Sequence, residues 1–216
     1  MERKGVYLRF GKRAIDLFAA VTVVVLLSPL LAVIFLLIRL KLGSPVLFRQ
    51  ERPGLHGQRF TLLKCRTMTD ARDAQECLLP DGERLTPLGR FLRSTSLDEL
   101  PELINVLRGE MSLVGPRPLL MRYYSYFTDE ERVRFAVRPG MTGWAQVNGR
   151  SNLPWSDRFA LDVWYVRHST FQLDLRILFL TVVRAFERKD IIVSDSNPRL
   201  KYDLDVERSM NRKGEE

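Results

Sequence analysis

The sequence predicts an α+β fold that is mostly helical and held at a membrane, and three observations carry that expectation. From Leu17 to Ile38 run 22 residues without a charge, long enough to cross a hydrocarbon core of about 30 Å. Val46–Phe48 and Phe60–Leu63 read as short strands around a glycine-rich turn at Pro53 to Gly57, a β-hairpin. Helical periodicity then dominates Leu88–Leu107, Trp155–His168 and Phe171–Phe186.

The apolar run carries Ser28-Pro29 at its midpoint. Proline removes the donor that would reach the Val25 carbonyl and crowds it, so a kink is expected there. The Ser28 hydroxyl can bond back one turn, which lets a bent helix survive in lipid. Arg3, Lys4, Arg9, Lys12 and Arg13 precede the run, and Arg39, Lys41, Arg49 and Arg52 follow it. Positive residues mark the cytoplasmic side, so two basic flanks favour a re-entrant segment over a kinked ordinary span. Each leg of about 11 residues would reach roughly the bilayer midplane. A cleaved signal peptide fits less well, because the run is too long and Ile38-Arg39-Leu40-Lys41 offers no small-residue cleavage site.

Three regions follow: 1–42, a re-entrant membrane helix with basic flanks; 43–186, a domain on the cytoplasmic side at the membrane interface; and 187–216, a polar tail. The middle region is long enough for one domain with its own core. The net charge of +8 suits anionic partners, whether lipid headgroups, phosphorylated substrates or nucleic acid. Cys65 and Cys77 are the two cysteines, with no spacing for a disulfide framework or a zinc site.

Past the hairpin, residues 69 to 89 are polar and turn-rich, an exposed loop. Leu100–Glu110 reads as a helix with Pro101 in its first turn and Gly109 as its stop. Ser112–Pro118 is extended, 119–135 is a helix and turn, and Arg138–Arg150 is a glycine-rich loop with room for a short strand. Phe171–Phe186 is too short between charges to span a bilayer and suits an amphipathic interfacial helix or a core helix equally.

Candidate chemistry is densest from Arg93 to Pro118. Asp98 and Glu99 lie at the start of a helix, where Ser96 to Glu99 also matches an ordinary capping box. A carboxylate held ionised there suits a nucleophile, and a second one alongside suits a hard cation such as Mg²⁺. Lys64, Arg66, Arg93, Arg117 and Arg138 are available for phosphate oxygens. Arg117 lies between Pro116 and Pro118, which bias it towards an extended backbone and cheapen the projection of its fork. Lys64 and Arg66 alternate on one strand face. No Walker loop, dinucleotide fingerprint, zinc-protease helix or nucleophile elbow occurs. With only His56 and His168, histidine chemistry has little material.

Several short motifs complete the pattern: Phe48-Arg49-Gln50 through Arg52-Pro53-Gly54, Lys64-Cys65-Arg66-Thr67-Met68, Arg93 to Pro101, Met111 to Pro118, Arg138 to Gly143, and Leu161-Asp162-Val163-Trp164-Tyr165. Together with Ser28-Pro29 they resemble the bacterial sugar transferase family, in particular its small monotopic phosphoglycosyl transferases. That resemblance covers about residues 10 to 185. It implies transfer of a sugar-1-phosphate from a UDP-sugar to undecaprenyl or another polyprenyl phosphate at the cytoplasmic face of the bacterial inner membrane, an early step of glycoconjugate assembly. It implies a ping-pong route in which Asp98 attacks the β-phosphate, UMP leaves, and the lipid phosphate attacks the Asp98 phosphosugar. It further implies that Glu99, beside Asp98, binds Mg²⁺, that Lys64, Arg66, Arg93, Arg117 and Arg138 meet phosphate or nucleotide, and that Asp162 belongs to the site. The Ser28-Pro29 break becomes the point where the membrane helix turns back. Membrane lipids are partners, nucleic acid is not, and a homodimer stays open. Cys65 departs from the aromatic residue common at its position, which alters packing and removes no catalytic group. The competing expectation is a basic membrane-anchored scaffold or nucleic-acid-binding protein. Against it, the basic residues are scattered through glycine and proline loops.

Overall fold

The computed structural model describes residues 7–149, 153–187, 204 and 208. Arg3, Lys4 and Arg150 lie outside the described residues, as does most of 187–216. A single helix among the described residues, α1 (Lys12–Leu42), is long and apolar enough to cross a membrane. It continues through Pro29 without a break. The Ser28 Oγ donates to the Val25 carbonyl at 2.8 Å, replacing the donor that proline removes.

Helix α1 rests on the remainder of the chain near both ends. Ala20, with Val23 and Val24, packs on Leu103, Val106 and Met111. Ile34 and Ile38 pack on Cys65 and Leu92. Between these contacts Val25, Leu26 and Val33 are exposed. The flanking polar residues make contacts inside the protein as well. Arg13 donates to the Val106 and Leu107 carbonyls at 2.6 and 3.1 Å, and buried Asp16 accepts the Leu113 N–H at 3.1 Å.

The expected hairpin is present and longer than its sequence signal: β1 (Leu47–Pro53) and β2 (Arg59–Cys65) pair antiparallel, Phe48 opposite Lys64 and Arg52 opposite Phe60. The loop 69–89 is more ordered than its polarity predicts. It holds bridges between Arg72 and Leu78 and between Met68 and Leu85, a one-turn helix α2 (Asp81–Arg84), and the start of α3 (Pro87–Ser94). Helix α4 (Glu102–Arg108) ends at Gly109, whose φ of 83° is the left-handed C-cap that glycine adopts at least cost. Strand β3 (Ser112–Val114) pairs in parallel with β4 (Gly140–Thr142), the short strand anticipated in the glycine loop. A Cβ on Gly140 would stand 2.1 Å from the Gly115 nitrogen, so this crossing needs glycine.

Two 3₁₀ segments, Met121–Tyr126 and Glu131–Ala136, replace the helix expected over 119–135. The chain then forms α5 (Trp144–Val147), α6 (Trp155–His168) and α7 (Phe171–Glu187). Helix α7 buries Asp174 and Ile177 and exposes Phe171, Leu175, Phe179 and Val182, so it is amphipathic in place. Asp174 receives the Tyr165 hydroxyl at 2.6 Å and Lys12 Nζ at 2.5 Å, tying α6, α7 and the foot of α1 together. In the stretch assigned as a polar tail, Leu204 is buried among Tyr123, Phe127, Phe135 and Phe159, and Arg208 pairs with Glu131 at 2.5 Å.

Candidate active site

The backbone geometry of the site starts at Thr86. Its hydroxyl accepts the Gly89 N–H at 3.0 Å and donates to the Thr67 carbonyl at 3.2 Å, so one N-cap both begins α3 and fixes it beside the exit of β2. Helix α3 carries Arg93, whose Nε donates to the Thr67 hydroxyl at 3.1 Å. Ser96 then takes a left-handed conformation at φ 56°, and Leu97–Glu99 forms a single 3₁₀ turn in front of α4. The capping box is therefore not formed: Ser96 makes no side-chain cap, because the positive φ spends this residue on reversing the chain.

Asp98 is buried in that turn, and Glu99 follows it. Lys64 Nζ lies 2.6 Å from Glu99 Oε1 and 3.3 Å from Glu102 Oε1, and Arg117 Nη2 donates to the same Glu99 oxygen. These two cations hold Glu99 well below the usual carboxylate range although burial opposes them. Glu102 is raised, by burial and by the Glu99 charge. Asp98 is also raised, chiefly by burial and then by Glu99, with Lys64, Arg93 and Arg117 opposing. Asp98 thus sits in a one-turn element where burial acts against the three cations, and the shift comes from that packing and not from a helix dipole. Cys65 sits behind Asp98, and its thiol is pushed up to about 12 by burial and by that carboxyl, so it packs without reacting.

Asp98 and Glu99 line a cavity of about 1230 Å³ that runs from Arg39 and Ser44 at the end of α1, past Phe48, Lys64 and Arg93, to Asp81 and Arg84. A buried carboxyl pair, cations on several sides and a cavity opening beside an apolar helix suit an anionic, phosphate-bearing substrate. The profile of the family described as Bacterial sugar transferase matches residues 7–188. The chain belongs to the bacterial sugar transferase family.

The chain is similar to the Bacillus subtilis protein named Uncharacterized sugar transferase EpsL, at 55% identity over 171 residues that cover 79% of this chain and 85% of that protein. It is 43% identical over 182 residues to the Caulobacter vibrioides UDP-glucose:undecaprenyl-phosphate glucose-1-phosphate transferase, covering 79% of this chain and 68% of that one. With the Komagataeibacter xylinus Undecaprenyl-phosphate glucose phosphotransferase it shares 45% identity over 188 residues, covering 80% of this chain but only 35% of the longer relative. The protein is therefore a transferase.

The remaining candidates of this sugar transferase fall at different distances from the carboxyl pair. Arg66 lines the cavity, but its guanidinium is occupied by Asp70 at 2.5 Å and by the carbonyls of Leu42, Ser44 and Met68. It fastens the end of α1 to β2. Arg138 donates through Nε to the Gly109 carbonyl at 2.7 Å, at the far end of α4 from Glu102. Asp162 reaches the site through a residue the sequence did not single out. Buried Arg134 donates to Asp162 Oδ2 at 2.8 Å and to the Arg117 carbonyl at 2.7 Å, with Phe127, Phe135 and Phe159 packed around its guanidinium at 5.2–5.6 Å. Arg134 and Asp162 lie 28 residues apart, a separation with no periodic signal. Glu102 had a signal, a third acid one helical turn after Glu99.

Proposed function

We propose that this transferase moves a sugar-1-phosphate from a UDP-sugar to a polyprenyl phosphate and releases UMP, through a covalent phosphosugar on Asp98. The observation that carries the reading is the placement of Asp98, buried beside the Lys64–Glu99–Arg117 cluster in the wall of the cavity that begins at the end of α1. An Asp98 carboxylate oxygen forms a bond to the β-phosphorus, and the bond from that phosphorus to the bridging oxygen breaks; the electron pair leaves with UMP. An oxygen of the lipid phosphate then attacks the same phosphorus, and Asp98 departs as a carboxylate. Lys64, Arg93 and Arg117 bind and orient the phosphoryl oxygens as charge shifts between them.

Among the described residues no group of three or more His, Cys, Asp or Glu side chains could hold a metal ion by itself, so a divalent cation here would draw on Glu99 and Asp98 oxygens together with substrate phosphates. Lys64 and Arg117 both engage Oε1 of Glu99, and among the described residues no hydrogen bond reaches Glu99 Oε2 or either Asp98 oxygen. Hard carboxylate oxygens of this kind, completed by substrate phosphates, suit Mg²⁺. Glu99, with Asp98 adjacent, would hold it, and when bound it supplies charge neutralisation of the diphosphate.

The anchor supports the same reading. Helix α1 touches one domain near both its ends and leaves its middle apolar face open. A span would carry those ends to opposite faces of the bilayer, so the contacts favour a segment that enters and returns on the cytoplasmic face of the inner membrane, bending near Ser28-Pro29. The exposed face of α7 suits the headgroup boundary beside it. For the chemistry the test is Asp98→Asn. We expect an unchanged melting temperature and a loss of UMP release from a UDP-sugar of about a thousandfold or more; wild-type turnover by this variant would refute the covalent route.

A further inference from the structure

We propose that Arg52 is a second anion-binding point of the cavity, taking a phosphate or diphosphate group at a distance from Lys64. The register of β1 and β2 puts Phe48 with Lys64, Gln50 with Leu62 and Arg52 with Phe60 on one sheet face. Gln50, Arg52 and Lys64 all line the cavity. At about 3.4 Å per residue, Arg52 lies roughly 14 Å along β1 from Phe48, the residue opposite Lys64. The two long cations therefore address separate stretches of one substrate channel.

Among the described residues, Arg52 differs from Lys64, Arg66 and Arg84 in having no carboxylate partner, a lack that Arg39, Arg49 and Arg93 share, and from all six in its buried, unpartnered Nε. Lys64 is matched by Glu99 and Glu102, Arg66 by Asp70, and Arg84 by Asp81. Among the described residues no carboxylate lies within ion-pair distance of Arg52, and its Nε is buried without a hydrogen-bond partner. Gln50 Oε1 accepts from its Nη2 at 2.5 Å, which aims the guanidinium without neutralising it. Burial and the neighbouring Arg117 charge weaken its hold on its proton, to about 10, with Glu102 opposing them. A half-buried guanidinium beside a second one, with an open donor and only the Glu102 charge, beyond ion-pair distance, to offset it, gains from an arriving anion. An arginine fork is the group that receives phosphate oxygens best.

This inference rests on the proposed reaction for the source of the anion, which is either the sugar nucleotide diphosphate or the lipid phosphate. The anion site itself is tested without turnover. Wild type, R52Q and R52M, each full-length in the same detergent, are titrated calorimetrically with inorganic pyrophosphate and with farnesyl phosphate. Loss of a charge-assisted bond predicts binding of at least one probe weakened about tenfold to a hundredfold in both variants, with no fall in melting temperature, since an unmatched charge has been removed. Weakening confined to pyrophosphate assigns Arg52 to the nucleotide, and weakening confined to farnesyl phosphate assigns it to the lipid; weakening of both means that the two substrates use it in turn. Either variant binding both probes within twofold of wild type overturns the proposal. So does a wild type that binds neither.

Discussion

Asn105→Leu is the substitution that best tests how the site is held together. Asn105 is fully buried on α4 and serves the open edge of β2: its Oδ1 accepts the Leu63 N–H at 3.1 Å, and its Nδ2 donates to the Thr61 carbonyl at 2.7 Å and to Glu110 at 2.6 Å. Leucine matches the shape and removes all three bonds, stranding a buried backbone donor and acceptor. Each costs about 1–3 kcal/mol, so a loss of roughly 4 kcal/mol is expected. For a chain of this size that corresponds to a fall in melting temperature of about 8–16 °C. Leu63 adjoins Lys64, and α4 carries Glu102, so the variant also moves Lys64 away from Glu102. UMP release should drop about tenfold even well below the new melting point. The assay is thermal unfolding in detergent followed by intrinsic fluorescence, with turnover measured on the same sample. Melting within about 3 °C of wild type would show that this edge is satisfied in another way, and the reasoning would fail.

Two further outcomes are expected. Glu102 is pushed up to about 7 from its ordinary 4.5, so its contribution favours the folded state below about pH 4.5 and is lost as pH rises through about 7; Glu99, shifted downward, acts only at acidic pH and outside this window. E102Q should therefore flatten the decline in stability between pH 5 and 8 by on the order of 1–3 kcal/mol, and parallel melting curves for the two proteins would refute this. For the anchor, with Cys65 and Cys77 replaced, a cysteine inserted after Met1 and the S44C substitution should both resist an impermeant thiol reagent in intact spheroplasts. Labelling of one end alone would establish a true span.

By itself the sequence determined what local chemistry dictates. Its uncharged run required an apolar helix, Ser28 was identifiable as the group that satisfies Val25, turn glycines bounded the hairpin, and Gly109 stopped α4, because each depends on residues within a few positions. The grouping of Lys64, Glu99 and Arg117 was legible only as a set of motifs. Tertiary structure decided the rest. It shifted Asp98 upward, which a helix-end argument does not anticipate, since burial depends on what packs against the turn. It turned Arg66 into a clasp on α1, set Arg138 at the far end of α4, and linked Asp162 to Arg117 through Arg134. These are contacts across 17 to 29 residues, and a contact of that range is fixed by how elements dock, for which spacing along the chain carries no signal.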